Sequence, residues 1–158
     1  QADAINPRGQ RNVIDGEAEL LEGFDFNISG KLGTTLYAPF TGTIDRVAGT
    51  LTASIPSFVP INMLAAPGGA THFKVVSAGA EVDFENETFV MDSQATAILP
   101  WDATATTAIN LAYTVTANST HPLFLALGIE FYQQVNGQMY PLKNGAFNAL
   151  SLIKVDGN

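Results

Sequence analysis

Asp83, Glu85 and Glu87 alternate along the stretch AEVDFENE. If that stretch is one strand, alternate residues share a face and the three carboxylates stand a few ångströms apart. Such a group could hold a Ca²⁺ ion, or act as the carboxylate pair of a glycosidase. Like charges on one face repel unless they meet water, a turn or a cation, so a solvated hairpin is the simpler reading. The ligand spacing of an EF-hand loop is absent. A second acidic group, Asp15, Glu17, Glu19, Glu22 and Asp25, reads as a solvated face.

Histidine occurs twice, at His72 and His121, each beside an expected strand start. With no cysteine in the chain, a zinc site would have to draw carboxylates from elsewhere. The string Val75-Val76-Ser77-Ala78-Gly79 lacks the first glycine of a nucleophile elbow, and neither glycine-rich phosphate loop occurs. Asn27, Asn86 and Asn118 each begin an N-x-S/T triplet, which arises readily by chance in a chain rich in these residues. Trp101, Tyr37, Tyr132 and Tyr140 could stack on sugar rings if exposed. Trp101 lies in an expected loop between Pro100 and Asp102, where it would serve as a binding platform or plug one end of the fold. Asp83, Glu85, Glu87 and Trp101 are therefore the candidate ligand or interface residues. No catalytic residue, metal ligand or cofactor contact is assigned.

The composition narrows the partners. Charged residues make up 14% and hydrophobic residues 46%, too few charges for disorder and fewer than a typical globular domain carries. The net charge is −8, and the seven basic residues are scattered from Arg8 to Lys154 without forming a stripe. Such a surface repels a phosphate backbone, so nucleic acid is not an expected partner. No apolar run approaches the ~20 residues of a membrane-spanning helix, so no membrane insertion is expected. The compartment stays open, with an extracellular or cell-surface location favoured.

The elements that must position these residues read as strands. Residues 1–14 have no regular period and form an expected extended arm. Residues 15–158 form an expected single domain in which strands recur every 8–15 residues. Asp15 could cap a short helix ended by Gly23. FDFNIS alternates, with Phe24, Phe26 and Ile28 on an expected buried face. TTLYAPF is β-prone up to Pro39. GTLTASI places Leu51, Ala53 and Ile55 inward, and INMLAA suggests one helical turn. THFKVVSAG, AEVDFE and ETFVMD read as three strands, with Asn86 in the turn between the last two. A long connection runs from Ala95 to Ala108. AINLAYTVTA turns Ile109, Leu111, Tyr113 and Val115 inward. LFLALGIEFYQQV (123–135) is apolar on both faces, which predicts a central strand covered on both sides. Asn136-Gly137 predicts a type I′ hairpin, and Asn144-Gly145 a second turn, giving a three-stranded meander. These elements predict an all-β, antiparallel β-sandwich, jelly-roll-like or immunoglobulin-like, with at most one or two very short helices.

Four stretches, NPRGQRNVIDGEAELLEGFDFN, GKLGTTLYAPFT, GATHFKVVSAGAEVDF and PLFLALGIEFYQQVNGQMYPLKNGAFNALSLIKV, together cover most of the chain. They resemble the C-terminal part of a family of uncharacterised, β-rich bacterial proteins. Members of that family are longer at the N-terminus, with a more basic leading segment. The resemblance implies a processed or truncated start at Gln1 and carries no activity or functional residue.

The expected function is a structural, self-assembling subunit of a filament, surface layer or virion-like shell, without catalysis, whose partners are copies of itself. Low charge, Thr/Ala/Asn-rich faces and a strand apolar on both sides leave more apolar surface than one small sandwich hides. The alternative is a carbohydrate- or ligand-binding module that uses Trp101 or the Asp83–Glu87 acids, with glycan as the partner.

Overall fold

The computed structural model describes residues 18–157, so the expected arm 1–14 and the Asp15 cap lie outside the described residues. Nine strands follow in order: β1 Thr41–Asp45, β2 Thr50–Ile55, β3 His72–Asp83, β4 Thr88–Ala95, β5 Leu99–Pro100, β6 Ile109–Thr114, β7 Leu123–Val135, β8 Gln138–Pro141 and β9 Ala149–Asp156. Two one-turn helices, α1 Leu32–Thr35 and α2 Pro60–Met63, interrupt them, with 3₁₀ turns at Ala18–Leu21 and Leu142–Gly145. Every strand pairing is antiparallel. The fold is an all-β antiparallel sandwich of a three-stranded sheet, β1-β2-β6, and a six-stranded sheet built on β4-β3-β7-β8.

The core lies between the sheets. β2 and β6 alternate as expected, burying Leu51, Ala53 and Ile55 and then Ile109, Leu111 and Tyr113. From the large sheet come Phe73 and Val75 of β3 and Leu125, Leu127, Ile129 and Phe131 of β7. The outward rows of the small sheet are polar. Thr43 lies opposite Thr52, and the Ser54 hydroxyl donates to Asn110 Oδ1 at 2.8 Å.

β7 spans the expected residues, and at roughly 43 Å it is too long for one partner on each side. β8 takes its C-terminal end and β9 its N-terminal half, along the same edge. The expected meander is thereby corrected, since β9 pairs with β7 and not with β8. β8 stops at Pro141, whose missing N–H ends the ladder. The chain then turns through Lys143, Asn144 and Gly145, all at positive φ, and descends along the open part of β7. Asn136 and Gly137 both have positive φ, as the type I′ turn requires.

Three other expectations are revised. THFKVVSAG and AEVDFE form one strand, because Gly79 is a packing residue and not a break. A Cβ there would stand 3.1 Å from the Tyr113 ring and 3.3 Å from Leu51. TTLYAPF is not a strand, since its first residues complete α1, and the chain becomes a strand only after Pro39, at β1. FDFNIS is not a strand: only its start follows β9, held by Gly23 N–H to Leu152 O, Phe26 N–H to Leu150 O and Leu152 N–H to Phe24 O, and Ile28 and Ser29 lie in a turn. Its faces are the reverse of those expected. Asp25 Oδ1 accepts the Leu32 N–H, and the Asn27 amide donates to Ala146 O and Asn148 O. With the polar row engaged against the protein, Phe24, Phe26 and Ile28 face solvent at 53, 56 and 89% exposure.

Candidate functional site

Among the described residues, β7 is covered on one face only, and not on both as expected. The outer face of the large sheet has no described layer over it, and its half toward the β3–β4 hairpin is apolar. β3 contributes Val76, Ala78, Ala80 and Val82 outward, since the odd residues Phe73, Val75 and Ser77 point inward. The register sets Ala80 beside Phe124 of β7 and Met91 of β4, and Ala126 beside Leu152 of β9. Small residues at 78, 80 and 126 thus form a floor, and Phe26, Phe84, Met91, Phe124, Leu150 and Leu152 form the walls. They enclose a groove of about 450 Å³ whose lining has no polar side chain. Phe84 meets Phe124 edge-on at 6.4 Å, and Phe24 meets Phe26 at 5.1 Å. Beyond the groove the face turns polar at the Lys74–Glu130 ion pair, 3.3 Å, where the Tyr132 hydroxyl donates to Glu130 at 2.8 Å.

The base of the β3–β4 hairpin carries the densest polar network. Glu81, 7% exposed, ends the inner row of β3. Its Oε1 accepts the Ser119 hydroxyl at 2.6 Å and faces His121 Nδ1 at 3.2 Å, and its Oε2 accepts the Thr116 N–H at 3.2 Å. Asp83 Oδ2 lies 3.5 Å from His121 Nε2. The imidazole is therefore held between two carboxylates. Burial pushes the Glu81 pKa up, but the hydrogen bonds from Ser119, Thr116 and His121 outweigh it and leave the group below its ordinary value. The Asn86 side chain, with the Asn86 and Glu85 N–H groups and the nearby His121, holds Asp83 below its own. Arg46 secures this loop from behind, donating to Ser119 O at 2.6 Å, His121 O at 2.8 Å and Asp156 O at 2.8 Å, and pairing with the Asp156 carboxylate at 3.1 Å.

In this clamp the serine hydroxyl and the imidazole both face Glu81 and not each other. The Ser119 hydroxyl donates to Glu81 and accepts the His121 backbone N–H at 3.1 Å, so it does not engage the imidazole. His72 stands at the other end of β3, roughly 30 Å away along the strand, beside Thr71 Oγ1 at 2.9 Å. Among the described residues, no group of three His, Asp or Glu side chains is arranged to hold a metal ion.

Of the sequence-predicted site residues, only Asp83 joins the clamp. β3 ends there, so Asp83, Glu85 and Glu87 do not share a face. Glu85 and Glu87 sit exposed in the turn, with Glu87 at positive φ. Trp101 is half-buried against the core, and its indole N–H donates to Leu64 O at 3.1 Å, closing that end of the sandwich. The apolar face was missed as a site, although its signal was present. The even residues from Val76 to Val82 carry no charge, and neither do Phe124, Ala126 and Gly128.

The fold and this face together define a small antiparallel sandwich with one apolar side that no layer of the described residues covers. No known protein family, curated protein or solved structure matches the chain.

Proposed function

We propose that this protein is a non-catalytic structural subunit that assembles with copies of itself through the outer face of its large sheet. The observation that carries this reading is the groove, an apolar surface rimmed by Phe26, Phe84, Met91 and Phe124 with no polar lining. Contiguous exposed apolar surface, rimmed by polar residues, is the kind of surface that marks an interaction site.

The test is molar mass by light scattering across a concentration series, for the wild type and for Phe26→Asp/Phe84→Lys. Both side chains are exposed, at 56 and 39%, so the substitutions leave the core in place. The wild type is expected to assemble and the double variant to run as a folded monomer. A wild type that stays monomeric at high concentration would refute the proposal.

A further inference from the structure

We infer that β4 is a second, edge-on contact, at which β4 of one copy pairs antiparallel with β4 of another and joins their large sheets into one. This deepens the self-assembly reading and rests on it. β4 is exposed along all eight residues, and no described strand pairs with its outer edge. The small sheet reaches it only near Gln94, whose amide donates to Ala112 O at 2.6 Å. Phe89, Val90 and Met91 are therefore open on both faces, at 69, 61 and 61% exposure. Natural edge strands are guarded by charge, proline, a bulge or a covering element. The stretch Thr88–Met91 carries no charge or proline, and its register with β3 is uninterrupted.

The backbone phase identifies the free groups. The Thr96 N–H donates to Val75 O, which marks that pair as hydrogen-bonded, and antiparallel ladders alternate. Residues 88, 90, 92 and 94 thus direct N–H and C=O toward β3, while Phe89, Met91 and Ser93 direct theirs outward. The Ser93 N–H is already taken by Asp92 Oδ1 at 2.8 Å, so the free run is Phe89 to Met91.

A two-fold axis at Val90 fits this edge. It sets Phe89 against Met91 of the second copy in a hydrogen-bonded pair, Thr88 against Asp92 and Glu87 against Ser93, so no like charges meet. An axis at Phe89 would press Glu87 onto Met91, and an axis at Met91 would press Asp92 onto Val90. The axis at Val90 also keeps the two apolar outer faces on one side, as a continuous surface.

The chain has no cysteine, so Val90→Cys introduces its one thiol. At the axis, Val90 and its copy form a non-hydrogen-bonded pair about 4.5 Å apart at Cα, within reach of a disulfide. Mild oxidation of assembled Val90→Cys should convert the monomer band to a covalent dimer on a non-reducing gel. Thr88→Cys should stay uncrosslinked, and Thr88→Cys/Asp92→Cys should crosslink. Met91→Pro removes an outward N–H and leaves the β3 ladder whole, so it should abolish the edge contact while circular dichroism stays unchanged. A wild type that assembles by light scattering while Val90→Cys remains uncrosslinked would overturn the edge pairing and leave the face contact standing. A wild type monomeric at every concentration would overturn both.

Discussion

Replacing Arg46 with methionine should cost about 3 kcal/mol of folding stability. The guanidinium follows β1 and reaches two distant segments, the loop before β7 through Ser119 O and His121 O, and the C-terminal strand through Asp156. Charge-assisted hydrogen bonds contribute roughly 1.5–3 kcal/mol each, and breaking a buried pair costs roughly 3–5 kcal/mol. The Arg46 and Asp156 side chains are 17 and 31% exposed, so water replaces part of what is lost, and the lower end of that range applies. In a domain of this size the change lowers Tm by roughly 6–12 °C. Arg46→Lys keeps the charge but not the planar fork that serves several acceptors at once, and should lose about half as much. Urea unfolding followed by fluorescence measures both, and an unchanged m-value confirms that the same surface is exposed. If Arg46→Met shifts stability by less than about 0.5 kcal/mol, the size of an ordinary surface substitution, the guanidinium does not hold these segments together and the argument fails.

Two further predictions concern the hairpin clamp and the core. Glu81 and Asp83 both have folded-state pKa values below their ordinary 4.5 and 3.8, so their stabilisation is present at neutral pH and is lost as the pH falls through and below those values. Acid titration of stability should therefore show a steeper decline below about pH 4.5 in the wild type than in Glu81→Gln/Asp83→Asn, and equal slopes would contradict the clamp. Tyr113→Phe should be neutral or stabilising by about 1 kcal/mol, because the Tyr113 hydroxyl is buried without a partner among the described residues. The neighbouring Ser77 hydroxyl donates instead to Ala126 O at 2.7 Å. A lower Tm for Tyr113→Phe would mean that the hydroxyl is bonded after all.

What could be read in advance was local. β2, β6 and β7 announce themselves because one face of each buries a regular row of large apolar side chains, and Asn136-Gly137 because only positive φ suits that turn. β1 was missed because TGTID has one large apolar residue and becomes a strand only by pairing with β2. Gly79 misled because a glycine that admits a ring and a glycine that breaks a strand look alike in a sequence. Phe24 and Phe26 misled because hydrophobicity predicts burial, whereas Asp25 and Asn27 set the orientation by capping the backbone of other segments. The clamp was the least legible part. Glu81 and His121 are far apart in sequence and meet only because β3 and β7 pair in register.

The two outer faces of the sandwich make the strongest case against a solitary unit. Both belong to one chain in one solvent, yet they are composed differently. The small sheet turns Thr41, Thr43, Thr50, Thr52, Ser54 and Asn110 outward, a polar lattice suited to water. The large sheet turns Val76, Ala78, Ala80 and Val82 outward along β3, with Phe124 and Ala126 beside them on β7. Alternation in a strand gives each row its own composition, so nothing in packing the core forces the outer row of β3 to be apolar. The apolar face also continues to β4, whose outer edge no described strand pairs. Among the described residues an uncovered apolar face and an unpaired edge meet at Phe89 and Met91, two separate departures from a solvated sandwich that the proposed contact with another copy would remove.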